Sequence, residues 1–288
     1  MIDRKVKVKF LTKKEAAKII AKILLTNPVY KNSNRQERFA KIGRLDVEKK
    51  EKDNYLELSE NYLEFFENYL SGILDWKLEE KLIIQKCLQF RLEKLESLQK
   101  LEDGKQIKLH WNFIKVSNNI EFGFPFSLDN FILLPQRSIP VFSEKTDKKM
   151  IEKFTTTLMH EQIHIHQRTY PDLYHNIFRK LGFIHCKFLH IPKSIFPKLI
   201  NNPDDNSQQW VYKDKDGCYY WPTMMIKDGP ISYETQHKIF RAYPVNKSGD
   251  VFVVVNDNRD DDRSHHLLTP AETCAYKYQD DPMILFNL

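Results

Sequence analysis

The sequence predicts an α+β protein whose N-terminal third is helical. Three observations carry this. In the first hundred residues apolar side chains recur at helical spacing. Residues 109–135, LHWNFIKVSNNIEFGFPFSLDNFILLP, are rich in aromatic and β-branched types broken by Asn and Gly, the pattern of short strands. A single long helical stripe then precedes several further strand signals.

The elements follow in order. Thr12-Lys13-Lys14-Glu15 has the form of a capping box ahead of AAKIIAKILL. That helix should end before Asn27-Pro28, because the residue before a proline avoids helical angles. Residues 31–50 are polar and read as loop with a short helix around Phe39, Ile42 and Leu45. From Tyr55 to Ile73 the residues Leu58, Tyr62, Phe65, Phe66, Tyr69 and Leu70 make one stripe, which Gly72 breaks. Asp75 is placed to cap a next helix carrying Glu79 and Glu80 in its first turn and Leu78, Leu82, Leu88, Leu92, Leu95 and Leu98 along it. Two such helices joined by a short turn should pack antiparallel. Residues 1–101 are therefore expected to form a helical region, and residues 102–288 a second domain with an insertion at about 183–263.

In that second domain strands are expected at Trp111–Val116, Glu121–Phe124 and Phe131–Leu134, forming a small mixed or antiparallel sheet. A helix from Thr146 to Arg168 carries Ile151, Phe154, Leu158 and Ile165 on one stripe, with Thr146 or Asp147 as cap and Pro171 beyond its end. Tyr174–Leu181 reads as another helix and Lys187–Ile200 as a loop. Residues 202–205, NPDD, signal a turn. WVYKDKDGCYYW, residues 210–221, has the form of a hairpin around Asp216-Gly217. Ile239–Tyr243 and Val251–Val255 are expected strands, residues 256–263 a charged loop without calcium-loop spacing, and the last element starts at Thr269.

Composition narrows the function classes. With 8 Gly in 288 residues there is no glycine-rich phosphate loop. Cys87, Cys186, Cys218 and Cys274 are far apart and form no C-x-x-C, which suits free thiols in a reducing compartment and argues against a zinc ribbon. No apolar run approaches the length of a membrane span, and MIDRKVKVKF lacks the apolar core of a signal peptide. An intracellular protein, or one packaged in a particle made inside a cell, is expected. Residues 1–50 carry 15 Lys/Arg against 5 Asp/Glu, whereas the whole chain is +6. These lysines are dispersed and not interleaved with aromatics, so they read as a solvated helix face rather than a nucleic-acid surface.

The chemistry concentrates in TTTLMHEQIHIHQR, residues 155–168. His160, Glu161 and His164 spell H-E-x-x-H, which arises by chance in a chain of this composition with a probability of roughly 2%. Two histidines four apart lie one above the other on a helix face and can hold one Zn²⁺. The adjacent glutamate is then in reach of a proton on a metal-bound water. The motif needs a third ligand. A third histidine in the H-E-x-x-H-x-x-G-x-x-H arrangement would fall at Tyr170. Asp172 and His175 lie beyond Pro171, His166 points about 200° away from His164, and His185 and His190 stay open. Glu272, in LLTPAETCAYKYQ, is the best placed. Pro270 can start a helix there, so the carboxylate would project from a first turn. Thr269-Pro270-Ala271-Glu272 is equally a capping box, in which Glu272 would fold back onto its own backbone.

The combination of TLMHEQIHIHQR, NPDD at 202–205 and TPAETCAYKY, with the strand-rich run before the motif, resembles an uncharacterised gluzincin-like family of zinc metallopeptidases. The resemblance covers roughly residues 110–288. It implies a zincin-like catalytic domain, Zn²⁺ held by His160, His164 and Glu272, and Glu161 as general base in hydrolysis of a peptide or protein. Where that family often has a histidine before the proline, this chain has Thr269, with His265 and His266 slightly upstream. Tyr276, one turn after Glu272, is the first candidate to stabilise an oxyanion, and His265 and His266 are the others. In such peptidases a strand beside the active helix offers its edge to an extended substrate, and Phe131–Leu134 is the expected strand. The alternative reading is a zinc-containing scaffold of the same fold without hydrolytic activity.

Overall fold

The computed structural model describes residues 8–26, 69–90, 110–141, 148–192, 194–195, 199–200, 209–226, 238–255 and 268–280. The helices expected within 31–68, residues 92–98, the caps Thr146 and Asp147, the turn at 202–205 and the loop at 256–263 lie outside these. The protein is α+β, with two sheets. No helix among the described residues is long and apolar enough to cross a membrane. The chain forms two compact units, one reaching to Ile165 and one running from His166 to Asp280.

The first unit contains β1 (Val8–Phe10), α1 (Lys13–Thr26), β2 (Ile73–Leu74), α2 (Leu78–Phe90), β3 (Trp111–Val116), β4 (Phe126–Leu128), β5 (Phe131–Pro135) and most of α3 (Lys148–Thr169). Its sheet runs β1-β3-β5-β4, with β2 paired to the end of β3. β3 is parallel to both β1 and β5, and β4 is antiparallel to β5. The central strands β3 and β5 are buried on both faces; β5, FILLP, reads accordingly as a continuous apolar run, and β3, WNFIKV, is broken only by Asn112 and Lys115.

Two strands of this sheet come from residues 1–101, the region expected to be mainly helical. β1 lies in the alternation Val6-Lys7-Val8-Lys9-Phe10, the two-residue period of a strand. β2 occupies the segment expected to be only a turn between helices, and pairs Ile73 with Val116 and Leu74 with Lys115. The capping box of α1 forms reciprocally: Thr12 N donates to Glu15 Oε2 at 2.9 Å, and Glu15 N donates to Thr12 Oγ1 at 3.3 Å. Asp75 corrects the expectation. Its Oδ1 accepts from Lys13 N at 3.0 Å, so it caps α1 and not α2. α2 instead begins with Lys77 N donating to Glu80 Oε2 at 2.8 Å. The buried face of α2 is Ile83, Ile84, Cys87 and Leu88, whereas Leu78 and Leu82 of the expected stripe are exposed.

Glu121–Phe124 is not a strand: Ile120–Gly123 is a 3-10 turn. Gly123 sits at φ +69°, its carbonyl accepts from Arg137 Nε at 3.0 Å, and Pro125 follows, so the strand begins only at Phe126. Phe131–Leu134 is a strand as expected, but β5 lies between β3 and β4 and has no open edge. α3 buries Ile151, Phe154, Leu158 and Met159, and the Thr155 hydroxyl reaches Cys87 O of α2 at 3.2 Å.

The second unit holds α4 (Pro171–Lys180), a seven-stranded sheet and α5 (Pro270–Tyr278). The strands are β6 (Phe183–His185), β7 (Phe188–His190), β8 (Leu199–Ile200), β9 (Trp210–Lys213), β10 (Tyr219–Ile226), β11 (Lys238–Ser248) and β12 (Val251–Val254). Their order is β6-β9-β10-β11-β12-β7, with β8 paired to β10. The segment expected as loop, Lys187–Ile200, thus contains β7 and β8. The expected β9–β10 hairpin is present. Asp214 and Cys218 close it by two hydrogen bonds, and Gly217 takes φ +84°. Cys186, Val211, Trp221, Tyr243, Val245 and Phe252 form the core under this sheet.

In the first unit Lys115, only 3% exposed on β3, reaches Glu80 Oε1 at 2.9 Å and Asp75 O at 3.3 Å. Removing one partner of a buried pair strands the other charge. Glu80→Ala should therefore cost about 3 kcal/mol in urea unfolding, and Lys115→Met added to it should recover most of that loss.

Candidate metal centre

His160 and His164 sit in the C-terminal half of α3. The apolar stripe fixes which face of that helix is buried, and the histidine pair lies beside it. The helix stops at Thr169, and Pro171 opens α4 at once, with Tyr170 as the hinge residue at φ −127° and ψ 61°. His160 Nε2 and His164 Nε2 are 3.0 Å apart, and their rings stand at 78° with centroids 4.7 Å apart. Facing nitrogens at this distance need one to accept, so at least one presents a lone pair.

α5 supplies the third group. Pro270 is its first residue and Thr269 its N-cap: Thr269 Oγ1 accepts from Glu272 N at 3.4 Å. Ligand atoms of His160, His164 and Glu272 all lie within 4.8 Å of one another, and among the described residues no other trio of His, Cys, Asp or Glu comes so close. Both readings of TPAE are thus partly realised. Thr269 caps the helix through its hydroxyl, and a Glu272 carboxylate oxygen keeps company with the imidazoles.

The donor set suits a zinc ion. Nitrogens held at about 2.0–2.1 Å around a tetrahedral ion are about 3.3 Å apart, close to the separation here. Two histidines and a glutamate are a known set for catalytic zinc, leaving one position open. His164 is fully buried, Glu161 is 4% and Glu272 6% exposed, and His160 alone is partly open to solvent. Glu161 follows His160 directly on the helix, about 100° around its axis.

The other candidates are placed elsewhere. His166 Nδ1 meets Tyr174 OH at 2.9 Å, and its Nε2 is buried with no hydrogen-bond partner among the described residues. His175 and His185 pack around Trp210, with ring centroids 5.1 and 5.0 Å from it. His190 is exposed on β7, Asp172 is exposed, and Tyr170 stacks near His166. Tyr276 lies on α5 one turn after Glu272, 51% exposed. His265 and His266 lie outside the described residues. Cys274 is fully buried, and burial raises its thiol pKa well beyond the usual range, as expected of a core thiol. One contributor escaped the sequence reading. Gln167 is buried and donates from Nε2 to Ala271 O at 3.0 Å. Its signal was position: it falls three residues after His164 and seven after His160.

Comparison with protein-family models, with curated proteins and with solved structures finds no match for this chain.

Burial pushes His166 down to about 4 from the ordinary 6.5. The unfolded chain therefore binds a proton that the folded chain refuses between those values. Stability should be full above pH 6.5 and fall as pH drops toward 4, by up to about 3 kcal/mol from this group. Thermal unfolding of metal-free protein across that window, beside His166→Leu, checks this: the variant should show a shallower pH dependence.

Proposed function

We propose that the chain is a zinc-dependent metallopeptidase or amide hydrolase of zincin-like fold, with a peptide or protein substrate. The observation that supports it best is the meeting of His160, His164 and Glu272 around one point, with Glu161 buried beside them. His160 and His164 would use Nε2, and Glu272 one carboxylate oxygen, to hold the ion. When bound, Zn²⁺ supplies a Lewis acid and lowers the pKa of a coordinated water to about 7.

The remaining steps fall to the chain's own residues. Glu161 accepts the proton of the attacking water and returns it to the leaving amine, so one carboxylate serves as base and then acid. Its burial excludes competing water and strengthens its interactions with charge in the site. The partial exposure of His160 is consistent with entry of substrate on that side. Tyr276, half exposed one turn from Glu272, would be the donor to a developing oxyanion. Since β5 is enclosed, an extended substrate that adds a strand beside this sheet would pair with β4, the terminal strand on that side.

Three variants test the reading. Glu161→Gln should keep stoichiometric zinc while cleavage of a peptide library falls by about 10²-fold or more, within the usual range for a lost general base. Zinc retention with unchanged cleavage would reject hydrolysis through Glu161, and zinc retention with no cleavage even in wild type would favour the scaffold alternative. Glu272→Ala should lower zinc occupancy, measured by atomic absorption after dialysis. Tyr276→Phe should leave occupancy unchanged and reduce turnover by about 10²-fold, as removal of an oxyanion donor does.

A further inference from the structure

We propose that Gln167 is a positioning residue for the metal centre, acting through Glu272. The inference rests on the zinc reading above and adds a residue to it. Helix geometry places the residue first. At 100° per residue, His164 stands about 40° from His160, and Gln167 about 20° to the other side, two turns along. The three side chains therefore form one stripe on α3.

Contacts in the second unit then tie that stripe to α5. Gln167 Nε2 donates to Ala271 O at 3.0 Å, and Ala271 is the residue before Glu272. The same side chain also lies within interacting reach of the Cys274 thiol, three residues further along α5. Ala271 is 4% exposed and Cys274 fully buried, so the amide works in a dry setting where an unmade bond is costly. Two attachments three residues apart on a nine-residue helix fix both its height and its rotation against the end of α3. Thr269 fixes the same turn from outside, through its cap to Glu272 N. The carboxylate of Glu272 is thereby presented at a set height and angle, with only its own side-chain torsions left to adjust. Groups that orient a metal ligand in this way typically change affinity about 10- to 100-fold when removed.

The test is zinc affinity by competition with a chromophoric chelator, in wild type, Gln167→Met, Glu272→Ala and the double variant. Methionine keeps the length and volume of glutamine and removes the donor. Gln167→Met should bind zinc about 10- to 100-fold more weakly than wild type. In the Glu272→Ala background the same substitution should have no further effect, because Gln167 acts through that carboxylate. Circular dichroism and thermal unfolding of each variant confirm that the comparison is between folded proteins. Should Gln167→Met fail to fold, Gln167→Leu serves the same cycle, since it too lacks the donor and carries no charge. Equal affinity of wild type and Gln167→Met overturns the inference and leaves the zinc reading standing. An equal loss in both backgrounds also overturns it, since the effect would then be general loosening of the fold. Absence of zinc binding in wild type overturns both.

Discussion

Two imidazole nitrogens 3.0 Å apart, with a carboxylate oxygen within 4.8 Å, are a costly arrangement for a protein to hold without purpose. Polar groups brought this close in a largely buried setting must satisfy one another or an ion. The surrounding structure is organised so that they meet. α3 provides the two nitrogens through its 3.6-residue repeat alone. The carboxylate, over a hundred residues later in the chain, depends on where α5 is set down. That placement rests on a cap at Thr269, a proline that starts the helix at a defined residue, and the Gln167 bond to Ala271.

The scaffold answers a second demand, which is to keep α3 itself rigid. Its apolar stripe is buried, and Thr155 adds a hydrogen bond to the backbone of α2. α2 is held in turn by the buried Lys115–Glu80 pair, whose lysine rises from the central strand β3. A chain of defined contacts thus runs from the sheet of the first unit through α2 to the helix that bears the histidines. Each link is short, buried and polar, or buried and well packed, and these kinds of contact resist small displacements.

Much of the site was readable from residue order, because it is built from local rules. The H-E-x-x-H face, the extent of α3, the Thr12–Glu15 box and the Thr269 cap all follow from spacings of three, four and seven. What the spacing could not decide was where the Glu272 side chain would point, since one tetrapeptide encodes both a cap and a ligand. The misreadings share a physical cause. Asp75 was assigned to the nearer helix, but its acceptor oxygen serves Lys13 N, 62 residues away. β2, β7 and β8 are two or three residues long, too short for a period to declare itself, and they exist because a neighbouring strand offers hydrogen bonds. The enclosure of β5 is likewise a property of the sheet order, which no single segment carries.

The most direct test is a crystal structure of the zinc-loaded protein with anomalous data collected on both sides of the zinc edge. The account predicts one peak bonded by His160 Nε2, His164 Nε2 and a Glu272 carboxylate oxygen at about 2.0–2.2 Å. It would be contradicted by a peak elsewhere, or by a Glu272 carboxylate folded onto the Thr269 amide with no ion beside the histidines.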